Sequence, residues 1–179
     1  MRQRIKKLIA GAILTACVPF NVLAYNTNDF SASSNFTRES FESALYYELE
    51  PLSDVFLECE EATGVNAACL AGIAALESGW GTSDLANEKN NLFGWRSNEG
   101  DYMWFASKET CIRYVAKSIA ENYLDEKGKY YSGGTNVENI AKYYSESSEW
   151  AEQLNDIIDD IEERAENYDL GKEERTCPS

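Results

Sequence analysis

No histidine occurs anywhere in the 179 residues. That absence removes the Cys-His dyad of peptidases and amidases, the Ser-His-Asp triad and the ordinary His-ligated zinc hydrolase site. Any chemistry falls to carboxylates and tyrosines, and neither a metal nor a cofactor is expected. Basic side chains are scarce: 16 Lys and Arg stand against 31 Asp and Glu, a net charge of −15. Such a surface repels nucleic acid and anionic membranes, so no nucleic-acid partner is expected. The acidity also serves simply to keep a protein soluble. No internal repeat, wall-binding repeat or second module is visible, and the length fits one domain of ordinary size, expected as a monomer.

What is present begins with a leader. Arg2, Arg4, Lys6 and Lys7 precede an apolar run from Leu8, and Val22-Leu23-Ala24 ends in a small residue. Residues 1–24 therefore have the pattern of a signal peptide and predict export. Its removal takes away four basic side chains and no acidic ones, moving the net charge from −15 to −19. Leu14-Thr15-Ala16-Cys17 also fits a lipoprotein signal, in which Cys17 would be lipidated. Continuation of the apolar run through Val18, Phe20, Val22 and Leu23 favours cleavage after Ala24. A membrane partner is expected only if Cys17 carries lipid.

Cys59, Cys69, Cys111 and Cys177 remain after such cleavage, and four cysteines in an exported chain allow up to two disulfides. Cys59 and Cys69 lie near the ends of consecutive helices and could meet. Cys69 equally suits a buried thiol, because it falls in an apolar helix.

Residues 25–36 are polar and read as a flexible leader, with the folded domain spanning 37–168 and a tail at 169–179. Phe41, Leu45, Leu49, Leu52, Phe56 and Leu57 mark a first helical region, broken at Pro51 and stopped at Thr63-Gly64. Asn66 is placed to cap the next helix, with Val65 and Leu70 in staple positions. From Ala67 to Leu76 every residue is apolar or glycine, which predicts a helix buried on all sides. Residues 84–104 show little helical periodicity and predict loops with a short β-hairpin. Ser107 is a cap for a helix carrying Ile112, Val115, Ile119 and Tyr123. Thr135-Asn136-Val137-Glu138 has a capping-box pattern, and Ser147-Ser148 opens a last helix with Trp150, Leu154, Ile157, Ile158 and Ile161 on its core face. The expected fold class is mainly α (α+β), a helical domain with a small β-hairpin lobe.

Against this background Glu77 stands out. It projects from the last turn of the apolar helix, just before Gly79 and Gly81. Apolar surroundings and the negative end of the helix dipole both favour the neutral carboxylic acid, as a general acid requires.

The segment Glu77-Ser78-Gly79-Trp80-Gly81, with Asn90-Asn91-Leu92-Phe93-Gly94-Trp95, resembles the signature of the bacterial N-acetylglucosaminidases of glycoside hydrolase family 73. The likeness runs from about Phe56 to Ile158. It implies a lysozyme-like fold in a secreted or cell-envelope enzyme cutting the glycan strands of peptidoglycan. The implied activity is endo-β-N-acetylglucosaminidase, with Glu77 as the catalytic acid. Tyr144, in a Tyr-containing motif before the final helix, is implied as the active-site phenol. Trp80, Asn91, Phe93 and Trp95 match motif positions, and with Tyr102 of the hairpin they are expected to contact the sugar through aromatic faces and polar edges, with plain core packing the alternative for Trp80, Phe93 and Trp95 and an equal one for Trp80. A second carboxylate is expected in the hairpin, at Asp101 or Glu99, although the substrate's N-acetyl group could serve instead. The hairpin is shorter than in many family members. A lytic transglycosylase or muramidase, or a non-catalytic glycan-binding module, are the alternative readings.

Overall fold

The computed structural model describes residues 29–176, so the signal-peptide and lipidation readings, and Cys177, lie outside the described residues. The chain forms seven α-helices there: α1 Arg38–Ala44, α2 Ser53–Thr63, α3 Ala67–Ser78, α4 Asp84–Lys89, α5 Lys108–Ile119, α6 Val137–Tyr144 and α7 Trp150–Thr176. A 3-10 turn at Tyr47–Leu52 contains Pro51, and a π-helical turn at Ala120–Leu124 extends α5.

Helix α3 is the axis. Asn66 caps it, its side-chain oxygen accepting from Cys69 N at 3.0 Å, while Glu60 of α2 accepts from Ala67 N at 2.6 Å. Every residue from Ala67 to Ala75 is buried. The small residues of this helix allow close approach: a Cβ on Gly72 would lie 3.0 Å from both Leu154 and Ile158 of α7. Along α7, Trp150, Leu154, Ile158, Ile161 and Ala165 are buried at steps of three and four residues, the stripe that faces a core. Each large aliphatic removed from water there contributes about 1.5–3 kcal/mol. Helix α1 packs on α7 and α2 on α5, which closes the core around α3.

Several expectations are corrected. Residues 29–36, expected as flexible leader, are pinned to the domain: Phe30 is fully buried, its N–H donates to Thr135 O at 2.9 Å, and its carbonyl accepts from Asn66 N at 2.8 Å. One apolar side chain plugging the base of α3 outweighs the polar composition around it. Residues 169–176, expected as tail, continue α7. Helix α4 interrupts a stretch read as loop; Ser83 caps it, but six residues are too few to display a period. Asn136 caps α6, while the Thr135 hydroxyl donates to Asp29 Oδ1 at 2.6 Å.

The hairpin lobe reduces to a loop closed by one antiparallel bridge between Arg96 and Tyr102, with no strand among the described residues. Its turn, Ser97 to Asp101, leaves too few residues on either arm to extend the ladder. Cys59 is a free buried thiol and so is not bridged to Cys69. Both thiols pack as small apolar groups in the core.

Candidate active site

Helix α3 ends where the chain turns left-handed at Gly79, Trp80 and Gly81, with φ of +58°, +59° and +84°. Glycine adopts this conformation freely, whereas Trp80 is an unusual occupant. Its ring is wedged edge-on against Tyr46, with centroids 5.0 Å apart, and lies below the Arg164 guanidinium at 5.3 Å. This abrupt stop leaves Glu77 exposed at the helix end.

Glu77 forms one wall of a cavity of about 370 Å³. Phe93, Gly94 and Trp95 form another, and Tyr123, Tyr144, Ser145 and Glu146 close it from the far side, with Arg96 at the rim. The indole N–H of Trp150 donates to Glu77 Oε1 at 2.9 Å, fixing the carboxyl from 73 residues away. Partial burial raises the Glu77 carboxyl above the ordinary carboxylate range, and the Trp150 hydrogen bond opposes that rise. The net direction favours the protonated acid. A Cβ on Gly94 would meet the other carboxyl oxygen, Oε2, at 3.6 Å, an ordinary van der Waals contact, so it is the left-handed backbone at φ +60° that calls for glycine here.

Tyr144 stacks on Trp150 with centroids 5.0 Å apart and an interplanar angle of 25°. The residue is half-buried, its hydroxyl oxygen is buried without a hydrogen-bond partner, and burial followed by the nearby Glu77 charge pushes its pKa well up. It is therefore a neutral hydroxyl beside the acid. The π-helical turn brings Tyr123 to the same wall, 6.0 Å from Tyr144. Such turns are rare and recur at functional sites.

The sequence-selected residues divide. Glu77, Tyr144, Phe93 and Trp95 line one cavity. Asn91 is buried beneath it: its amide donates to the Trp95 and Met103 carbonyls, at 2.8 and 3.0 Å, and its oxygen accepts from Trp95 N at 2.9 Å. It shapes the loop and does not face the cavity. Trp80 packs against Tyr46 and Arg164, in keeping with its core alternative, and does not line the cavity. Tyr102 lies under the Arg96 guanidinium at 3.9 Å, and neither it nor Asp101 nor Glu99 lines the cavity. Asp101 is held in the turn, its carbonyl accepting from Ser97 N at 2.8 Å, away from the residues that line the cavity. Trp150, Tyr123 and Glu146 were not singled out for chemistry. Trp150 was legible only as a core residue, and its N–H needed a partner once buried.

A second hollow of about 480 Å³, between α2 and α5, differs in kind. Its carboxylates are paired, Glu58 with Arg113 at 2.7 Å and Glu121 with Lys117 at 3.7 Å. No group of three or more potential metal ligands occurs among the described residues.

A family model described as mannosyl-glycoprotein endo-beta-N-acetylglucosaminidase matches residues 53–163. The chain is 34% identical over 124 residues to a "Putative endo-beta-N-acetylglucosaminidase" from each of two Streptococcus pneumoniae strains, TIGR4 and R6. These matches cover 65% of this chain and 18% and 17% of those proteins, so the chain spans under a fifth of the length of the curated relatives it matches. Among solved structures, Staphylococcus aureus autolysin E in complex with muropeptide NAM-L-Ala-D-iGlu superposes with a TM-score of 0.63 at 23% identity, covering 78% of this chain and 72% of that one. A catalytic Glu-to-Ala mutant of the same protein, in complex with the disaccharide NAG-NAM, gives 0.63 at 22% identity with the same coverage. The catalytic domain of the Listeria monocytogenes autolysin Auto gives 0.53 at 17% identity, over 71% of this chain and 86% of that one. These likenesses show a shared mostly helical fold.

Proposed function

The chain belongs to the glucosaminidase family, whose model covers residues 53–163, and from that membership we propose that it is an exported endo-β-N-acetylglucosaminidase. Its substrate in this reading is the β-1,4 bond from N-acetylglucosamine to N-acetylmuramic acid in peptidoglycan. The observation that carries the reading is the Glu77 carboxyl, held by Trp150 at the wall of a cavity and biased toward its protonated form.

Glu77 gives its proton to the glycosidic oxygen as the bond to the anomeric carbon breaks and its electron pair moves to that oxygen. Water completes the hydrolysis at the anomeric carbon. Trp95 and Phe93 supply apolar faces for the sugar, and Tyr144 supplies a neutral hydroxyl. That hydroxyl is buried without a partner, at a cost of about 1–3 kcal/mol. Such a cost is tolerated where a polar group serves a site. The peptidoglycan fragments bound by the structurally similar autolysin E support the substrate class, and its Glu-to-Ala catalytic mutant supports a glutamate as the working residue.

The test is digestion of purified peptidoglycan, with products read by mass spectrometry. Reducing N-acetylglucosamine ends are expected. Anhydro-muramic ends would establish a lytic transglycosylase instead, and an undiminished turbidity would establish a non-catalytic module. Glu77→Gln keeps shape and hydrogen bonding but has no proton to give, so folded variant protein should lose roughly 10²-fold or more of its rate.

A further inference from the structure

Glycoside hydrolysis commonly uses a second carboxylate across the scissile bond from the acid. Asp101 does not line the cavity that holds Glu77. Among the described residues two carboxylates do line it: Glu77, from the end of α3, and Glu146, from the connection between α6 and α7.

The backbone that carries Glu146 is fixed at both ends. Helix α6 stops at Tyr144 with Ser145 extended. Ser147 N donates to Ser145 Oγ at 3.1 Å, Glu149 N donates to Ser147 Oγ at 3.3 Å, and Trp150 N donates to Ser147 O at 3.4 Å. The two flanking aromatics, Tyr144 and Trp150, stack on each other, and Trp150 holds the Glu77 carboxyl. The segment is therefore a short connection between two stacked aromatics, one of which holds the Glu77 carboxyl. Glu146 is exposed and makes no hydrogen bond or ion pair among the described residues. Arg96, at the rim, is committed elsewhere, to Gly100 O at 2.7 Å and to the face of Tyr102. Glu146 thus lines the cavity opposite no basic partner, with its carboxylate uncommitted.

We propose that Glu146 is the second carboxylate of the reaction, the base that takes a proton from the attacking water. This rests on the proposed glucosaminidase activity. Water oxygen bonds to the anomeric carbon as one of its protons passes to Glu146. The bond to the leaving oxygen breaks, its electron pair stays on that oxygen, and the oxygen receives the Glu77 proton. The product is a reducing N-acetylglucosamine end and a free hydroxyl, and the two carboxyl groups have exchanged protonation states, to be reset through solvent.

The experiment compares parental protein, Glu77→Gln, Glu146→Gln, Glu146→Asp and the neighbouring control Glu149→Gln on purified peptidoglycan, each checked for folding by circular dichroism. Glu146→Gln should lose 10²-fold or more in kcat with KM within about threefold, as for loss of a general base. Glu146→Asp should retain an intermediate rate, and Glu149→Gln should match the parent. Sodium azide, an anion that needs no proton removed, should restore turnover to Glu146→Gln with release of a glycosyl azide, and should not restore Glu77→Gln. Parental kcat in Glu146→Gln beside an inactive Glu77→Gln would overturn the role of Glu146 and leave the activity standing. An impaired Glu146→Gln with raised KM and no azide rescue would also overturn it, because it would then be a binding residue. Absence of reducing N-acetylglucosamine ends from the parental digest would instead remove the activity itself.

Discussion

Replacing Glu162 by glutamine should stabilise the protein at pH 8 and leave it unchanged in acid. Glu162 lies on the buried side of α7 with 4% of its surface exposed, and its Oε1 has no hydrogen-bond partner. Burial first, then the like charges of Asp159 and Glu166 on the same helix, push its carboxyl from an ordinary 4.5 up to about 7. A carboxyl whose folded pKa is raised contributes fully to stability below its unfolded pKa. The contribution drains away as pH rises from 4.5 through about 7, and it stays lost above that. The gap from 4.5 to about 7, at about 1.36 kcal/mol per pH unit, sets a ceiling of about 3 kcal/mol. Water reaching the carboxylate lowers that ceiling. Glutamine keeps the shape and cannot ionise, so Glu162→Gln should gain about 1–3 kcal/mol over the parent at pH 8, or roughly 3–10 °C in Tm. At pH 4.5 the two should coincide. Urea unfolding followed by far-ultraviolet circular dichroism at both pH values measures this directly. An equal loss of stability at pH 4.5 and pH 8 would show that the carboxylate makes a stabilising contact, and the reasoning would fail.

Trp150→Phe removes the indole donor that favours the ionised form of Glu77; the high-pH limb of kcat/KM should move up by about one pH unit, and a limb moving down would contradict the assigned contact. Gly72→Ala drives a methyl against Leu154 and Ile158; the overpacking should outweigh the better helix propensity by about 1–2 kcal/mol in chemical denaturation, with part recovered by adding Ile158→Val. The thiols of Cys59 and Cys111 are pushed up to about 11 and about 12 by burial. Both should resist alkylation at pH 8 in the native protein and react after denaturation, a difference readable by mass spectrometry of tryptic peptides.

The parts of the fold legible in the sequence are those set by local chemistry. Asn66 and Ser107 cap the helices they were expected to cap, because a side-chain oxygen three residues before an N–H is a local arrangement. The unbroken apolar run of α3 signals its burial, and the position of Glu77 follows from where that run ends. Helix α4 was hidden because six residues cannot show a period. The π-helical turn was hidden because it begins only after Ile119, where the spacing of Ile112, Val115 and Ile119 has already ended. The site was only half legible for a different reason. Glu77 and Tyr144 sit in motifs, whereas the Trp150–Glu77 hydrogen bond joins residues that nothing local relates. The same holds for Phe30, whose partners are at Asn66 and Thr135.

That last contact has a consequence for where the working unit ends. The matched family region begins at residue 53 and stops at 163, yet α1 rests on α7, and Phe30 lies beneath the start of α3. A protease trimming the chain back to residue 37 would leave every residue of the cavity in place. It would nonetheless uncover the N–H of Asn66, free Asn66 Nδ2 from the Ala32 carbonyl, and strip from Glu60 the two groups of Ser33 and Ser34 that tie it beside the same helix start. Those contacts sit at the opposite end of α3 from Glu77. The Glu77 carboxyl is thus mounted on a rod whose far end is gripped by residues 29–36, and trimming that segment would act on the cavity from the far end of the helix.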